Sequence, residues 1–193
     1  ARLASERLDL PGAARCLQYA VEARRALDDP DLIQETELLG QLGDVHLRAG
    51  DAAAAADCLR EAIASTTAPS RRLRLSLGKA LASAGNHEDA LVAFAEAGGC
   101  NQCSFCLELA FAHGWSLTML GRYDDAREVA VQALSSPTAR TDRSGSAQLH
   151  YLRGTIAWHA GLYEEASDVL TDTVSDAEER SDDAGGQPPA AGT

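Results

Sequence analysis

The chain has 193 residues, with 29 acidic and 17 basic side chains and a formal net charge of −12. Binding to a nucleic-acid backbone needs a basic surface that releases counterions, so this balance argues against a nucleic-acid partner for this segment. The sequence contains no run of about 18 apolar residues, so it predicts no membrane span. The N-terminus lacks the basic-then-apolar pattern of a signal peptide. We therefore expect a cytoplasmic protein without a membrane partner.

Pairs of glycines seven residues apart recur four times along the chain. They are Gly43 and Gly50, Gly78 and Gly85, Gly114 and Gly121, and Gly154 and Gly161. An alanine stands five residues after each second glycine, at Ala55, Ala90, Ala126 and Ala166, and these alanines are 35, 36 and 40 residues apart. Periods of this length are typical of helical repeat proteins, so the sequence predicts an all-α array of helix-turn-helix repeats.

The array divides into elements in chain order. Residues 1–29 are predicted to form a partial repeat, because Ala13, Leu17 and Ala20 keep the spacing of Ala55, Leu59 and Ala62. This register places Pro11 near the first turn of a helix, where a missing N–H costs little. Complete repeats are predicted over 36–69, 71–99, 104–137 and 147–180, with a loop over 135–144 that accounts for the 40-residue interval. The acidic, proline- and glycine-rich tail over 181–193 is predicted to be disordered. The chain begins without methionine, which favours a segment of a longer protein.

The repeats resemble the tetratricopeptide repeat, whose first helix carries W-x2-L-G-x2-Y and whose second carries A-x3-F before a proline. The motif appears here as Leu39-x2-Leu42-Gly43-x2-His46 with Ala55-x3-Leu59, Arg74-x2-Leu77-Gly78-x2-Leu81 with Ala90-x3-Phe94, Ala110-x2-His113-Gly114-x2-Leu117 with Ala126-x3-Ala130, and His150-x2-Arg153-Gly154-x2-Ala157 with Ala166-x3-Leu170. Tryptophan is absent from the first motif position of all four repeats. The resemblance implies a right-handed superhelical array, the α-α superhelix.

Residues 42–63 and 119–134 are rich in alanine and arginine. In this composition they are also similar to the repeat region of large actinobacterial ATP-binding regulators of the LuxR type. In those regulators an ATP-binding switch module precedes the repeats and a helix-turn-helix domain follows them. This chain contains neither the phosphate-binding loop nor the DNA-binding segment. The resemblance covers the repeats alone and implies a sensor role.

The tetratricopeptide resemblance implies that positions 2, 5, 9, 12 and 13 of each repeat line a concave groove. In the second and third repeats these positions include Glu37, Gly40, Asp44, Arg72 and Lys79. In the last two they include Phe111, Trp115, Thr118, Met119, Tyr151, Thr155 and Trp158. Four aromatic residues on one surface would form an apolar pocket for a peptide or a small ligand. The alternative is that these aromatic residues pack in the core between the first helices of successive repeats.

Two basic groove residues, Arg72 and Lys79, lie two helical turns apart and therefore share one face. They are candidates for holding a carboxylate or phosphate of the ligand. The alternative is a solvated charged face in acidic surroundings.

Three cysteines form a cluster at Cys100, Cys103 and Cys106, with His113 as a fourth candidate ligand. Thiolate and imidazole groups are zinc ligands, and closely spaced thiols are also redox-active. A structural zinc site usually draws ligand pairs from separated segments, whereas here the cysteines form one run. The alternative is that they pack as small apolar side chains between helices.

No arrangement of nucleophile, base and orienting group is present, so the sequence predicts a protein that is not an enzyme and needs no cofactor. The leading hypothesis is a recognition module of a larger cytoplasmic bacterial protein that binds a peptide, a partner domain or a small effector in its groove. The alternatives are a metal-binding or redox-sensing module using the cysteine cluster, and a purely structural spacer.

Overall fold

The computed structural model describes residues 9–27, 32–98 and 103–185, and these residues form helices joined by turns. The helices are α1 (Leu10–Arg25), α2 (Leu32–Ala49), α3 (Ala52–Ala64), α4 (Arg71–Ser83), α5 (His87–Ala97), α6 (Ser104–Met119), α7 (Tyr123–Leu134), α8 (Pro137–Thr141), α9 (Arg143–His159) and α10 (Tyr163–Gly185). The predicted all-α array of helix-turn-helix repeats is confirmed. No helix within the described ranges has the length and apolar character that a membrane span requires.

The chain divides into two compact units, Ala1–Gly99 and Cys100–Thr193. In the N-terminal unit each helix from α1 to α4 packs on the next one along the chain. Arg25 of α1 joins its neighbours through ion pairs with Glu35 of α2, at 2.7 Å, and with Glu61 of α3. In the C-terminal unit α6 packs on α7, both pack on α9, and α9 packs on α10. Residues 1–8, 28 and 29 of the predicted partial repeat lie outside the described residues.

The second glycine of each pair ends the first helix of its repeat. Gly50, Gly85, Gly121 and Gly161 have φ between +75° and +84°, the left-handed region that side chains with a Cβ rarely adopt. The N–H of the following residue then donates to a carbonyl five residues back, as Asp51 N does to His46 O at 2.9 Å. This bond satisfies a carbonyl that the helix end leaves free, so the glycine spacing of the sequence fixes the turn.

The first glycine of each pair brings two helices close together. A Cβ added at Gly43, Gly78 or Gly154 would lie 2.3 to 2.6 Å from a side chain of the second helix of the same repeat, four residues after its recurring alanine. These side chains are Leu59, Phe94 and Leu170. The alanines themselves, Ala55, Ala90, Ala126 and Ala166, are buried. The small residues therefore set the distance between the paired helices.

The predicted loop over 135–144 contains the short helix α8. Ser136 caps it by accepting a hydrogen bond from Ala139 N, and Pro137 occupies its first turn. Asp142 then caps α9, which begins at Arg143 and not at residue 147, and accepts a hydrogen bond from Gly145 N at 2.9 Å. This bond, followed by one from Ser104, lowers the pKa of the Asp142 carboxyl. The cap and the proline account for the extra helix within the interval.

The last helix, α10, includes residues 181–185 of the tail that was predicted to be disordered. α10 continues to Gly185, and residues 186–193 lie outside the described part of the chain. Between Gly161 and Gly185 the sequence contains neither glycine nor proline, and Glu164 and Glu165 complement the positive end of the helix in its first turn. Helix propensity therefore extends the element beyond its last apolar residues.

Candidate functional site

Four of the predicted groove positions of the N-terminal unit line a cleft of about 540 Å³ between α2 and α4. Its walls include Glu37, Gly40, Asp44 and Arg72. Gly40 allows the close approach, because a Cβ there would lie 2.9 Å from Leu73 Cδ2. Two polar residues of the lining are joined directly, since Ser76 Oγ donates a hydrogen bond to Asp44 Oδ1 at 2.9 Å.

The two basic candidates on α4 have different surroundings. Arg72 is exposed and lines the cleft, whereas Lys79 is half-buried and lies outside the lining. Three residues on the α3–α4 connection, Thr66, Ala68 and Ser70, join the lining. The groove positions of the first helices did not predict this contribution, because it comes from a connection between helices.

Two aromatic pairs mark the C-terminal unit. Phe111 and Trp115 stack on α6 with ring centroids 6.3 Å apart, and both side chains are half-buried. Trp158 at the end of α9 packs edge-on against Tyr163, with ring centroids 5.2 Å apart. The sequence reasoning missed Tyr163, because it is the first residue of α10 and not a first-helix position. Aromatic spacing of five residues across the Gly161 turn is the signal that identifies it.

Exposure separates the groove candidates of α6 and α9. Trp158 is 59% exposed, Tyr151 is 49% exposed and Met119 is 36% exposed. Thr118, which was predicted to face the groove, is buried instead and donates its hydroxyl hydrogen to Gly114 O at 2.7 Å. Thr155 makes the same bond to Tyr151 O at 3.0 Å, so its hydroxyl is engaged within its own helix. The face available to a ligand is therefore largely aromatic.

The charged and the aromatic candidates belong to different units. Arg72 and Lys79 lie on α4 in the N-terminal unit, and the aromatic candidates lie on α6 and α9 in the C-terminal unit. Each set therefore has its neighbours within its own unit.

The cysteine cluster is described in part. Cys100 lies outside the described residues, while Cys103 Sγ and Cys106 Sγ lie 3.1 Å apart at the start of α6. His113 follows Cys106 by seven residues, about 10 Å along a helix, so it is too distant to share a metal with that thiol. Burial, followed by the charge of Arg122, lowers the pKa of His113. Within the described ranges no group of three metal-ligating side chains is present.

The sequence model of the tetratricopeptide repeat family matches residues 41–100 and 111–182. Among solved structures, the chain is similar to MamA, with 20% identity, 90% of this chain and 92% of that chain covered, and a TM-score of 0.66. It is also similar to BtubC from P. vanneervenii, with 16% identity, coverage of 96% and 78%, and a TM-score of 0.73. A third is YrrB, described as a tetratricopeptide repeat protein with an unusual peptide-binding site, with 18% identity, coverage of 86% and 80%, and a TM-score of 0.62. A search of curated proteins finds no match.

Proposed function

Because the chain belongs to the tetratricopeptide repeat family, we propose that it is a recognition module that binds a peptide segment of a partner protein along the first helices of its repeats. The observation that carries this proposal is the exposure of Tyr151 and Trp158 on α9. Burying such rings yields a large hydrophobic gain, so their exposure in the unbound chain favours a surface that a ligand covers.

The aromatic pairs suit peptide anchoring. Trp158 is held by Tyr163 and Trp115 by Phe111, so each indole has a ring partner that restricts its motion. A ring ordered before binding loses less conformational entropy when the ligand arrives. Tryptophan and tyrosine are also the residue types that most often dominate binding energy at interfaces. We therefore assign the anchoring role to Trp158 and Tyr151, with Tyr163 as an added contact.

The cleft between α2 and α4 supports a second, polar contact region. Arg72 presents a guanidinium that pairs with carboxylates, and Glu37 and Asp44 present acceptors for backbone or side-chain N–H groups. We propose that this cleft, by itself, orients a bound segment through hydrogen bonds in the N-terminal unit.

The wider setting is also a proposal. The similarity of the repeats to those of large actinobacterial regulators supports a module of a longer cytoplasmic bacterial protein, in which the ligand would be a peptide, a partner domain or a small effector. A ligand with different affinities for two states of such a regulator would shift their populations. We propose no enzymatic activity for the module.

We expect Trp158→Ala to weaken peptide binding at least tenfold, because the substitution removes the most exposed groove ring. The probe is a fluorescent peptide that is selected from a random 12-residue library for binding to the wild-type protein. Its affinity is measured by fluorescence anisotropy. Tyr19→Ala is the matched control, since Tyr19 is 70% exposed on α1, outside the groove positions. Equal affinity of Trp158→Ala and wild type for every selected peptide would contradict the proposal.

A second candidate function, redox sensing, is favoured by the distance of 3.1 Å between Cys103 Sγ and Cys106 Sγ. Oxidised glutathione would supply the oxidant: the two thiols lose two protons and two electrons to form one disulfide, and the glutathione disulfide is reduced to two thiols. Burial raises the pKa of Cys58, which makes that thiol a poorer nucleophile in exchange.

Incubation with oxidised glutathione is expected to give an internal bond between Cys103 and Cys106, seen by mass spectrometry as the loss of two hydrogens in a peptide containing both. Exposed Cys16 should instead carry a glutathione adduct. Cys103→Ser should convert the reaction at Cys106 to an adduct as well. If the wild-type protein carries adducts at Cys103 or Cys106 in place of the internal bond, the pair is not a redox switch.

A further inference from the structure

A cleft of about 650 Å³ in the C-terminal unit is lined by basic side chains. It lies among α8, the first half of α9 and the middle of α10. Arg140 comes from α8, and Arg143, His150 and Arg153 come from α9. Asp172 of α10 is the acidic side chain among the described lining residues. The cleft is therefore a concentration of positive charge in a chain whose net charge is −12.

The sequence of the last repeat explains why the cleft is open. The fourth and seventh positions of the second repeat are Leu39 and Leu42, which are buried against the neighbouring helices. The same positions of the last repeat are His150 and Arg153, which are half-buried and line the cleft. Long cationic side chains keep their charged ends in water, so they do not close this face as leucine does. Small residues, Ala139 and Ala147, leave further space on the walls.

The arginines of the cleft lack the ion pairs that some arginines elsewhere in the chain form. Arg25, Arg122 and Arg127 each form an ion pair with a carboxylate of the described residues. Arg140, Arg143 and Arg153 form no ion pair with the carboxylates whose side chains the structure describes, which on α10 extend to Asp172. Three guanidinium groups around one cavity repel each other, and an anion between them removes that repulsion.

We propose that this cleft binds a small organic anion through its phosphate or carboxylate group, with Arg140, Arg143 and Arg153 as the cationic contacts. Guanidinium groups bind both kinds of oxyanion through paired N–H donors. Asp172 accepts a hydrogen bond from a hydroxyl or amino group of the same ligand, which selects a ligand carrying both an oxyanion and a donor. The volume fits a small molecule, since ligand sites typically measure about 300–1,000 Å³.

This site is separate from the proposed peptide groove. Its lining on α9 comes from Arg143, Ser146, Ala147, His150 and Arg153, whereas the aromatic anchors are Tyr151 and Trp158. A small anion and a peptide therefore need not compete for the same side chains, and the two proposals fail independently.

The test is isothermal titration calorimetry of the full chain with pyrophosphate and with citrate, at about 0.15 M ionic strength to screen weak surface attraction. We expect saturable 1:1 binding of at least one probe, and the stronger probe identifies the preferred oxyanion. Arg153→Gln and Arg140→Gln should each weaken binding at least tenfold. Arg60→Gln, which removes the same charge from an exposed arginine paired with Asp57 in the N-terminal unit, should leave it unchanged.

Three outcomes overturn the proposal: no saturable binding of either probe, equal weakening by Arg60→Gln, or unchanged binding in Arg140→Gln and Arg153→Gln. Arg153 is half-buried, so its variant is checked by circular dichroism, and exposed Arg140 keeps the test valid if that variant does not fold. Trp158→Ala should bind the anion as wild type does, which distinguishes failure here from failure of the peptide proposal.

Discussion

Replacing Phe94 with alanine is expected to lower the free energy of unfolding of the N-terminal unit by about 3–5 kcal/mol. Phe94 is 2% exposed, and its ring covers the backbone of α4 at Gly78, where an added Cβ would lie 2.3 Å from Phe94 Cε1. Removing the ring takes away both its burial and its contacts with α4. Neighbouring alanines, Ala90 and Ala97, are too short to refill the space.

Urea denaturation followed by circular dichroism measures this loss. Val92→Ala on the same helix is the control, because Val92 is 59% exposed and its truncation should change stability by less than about 0.5 kcal/mol. Gly78→Ala should also destabilise, by about 1–3 kcal/mol, because its methyl group meets a rigid ring. In the double variant Gly78→Ala/Phe94→Ala that methyl enters the vacated space. The double variant should therefore lose less stability than the sum of the losses measured for the two single variants. Additive losses would show that the ring and the glycine do not pack as described.

The glycine register predicts the fold because it encodes backbone geometry. Gly50 and its equivalents adopt positive φ, and Gly43 and its equivalents allow close helix packing, so spacing alone places the helices and their turns. The same register places Tyr151 and Trp158 on one helix, and both are exposed. It fails for Thr118, because a one-position uncertainty rotates a side chain by about 100° around the helix.

The features that the register did not predict arise from a local helix cap and from residues that are far apart in sequence. α8 results from a local cap within a stretch that the repeat pattern leaves out, and the basic cleft is lined by residues of α8, α9 and α10. Arg140 and Asp172 are far apart in sequence and share no motif. Sequence periodicity predicts helices and their faces. It does not predict a site that includes residues of a helix inserted between repeats.

The fourth repeat departs from the others in a way that explains its packing. Its equivalent of Leu59 and Phe94 is Ala130, which is too small to cover the glycine of its own repeat. Leu152 of the next first helix takes that place, because a Cβ added at Gly114 would lie 2.7 Å from Leu152 Cδ2. Leu152 is fully buried. Leu152 therefore joins two successive repeats, whereas Leu59 and Phe94 each join the two helices of one repeat.

Leu152→Ala is consequently expected to lower the free energy of unfolding of the C-terminal unit by about 2–5 kcal/mol, measured by urea denaturation. Leu162→Ala is the control, since Leu162 is exposed in the turn before α10 and should lose less than about 0.5 kcal/mol. Ala130→Leu alone should destabilise by overpacking the space that Leu152 fills. Combined with Leu152→Ala, it should recover part of the loss, because the leucine then occupies the position it holds in the second repeat. A double variant no more stable than Leu152→Ala alone would mean that the two side chains do not share one space. It would then be wrong that Leu152 covers Gly114 in place of a side chain from the same repeat.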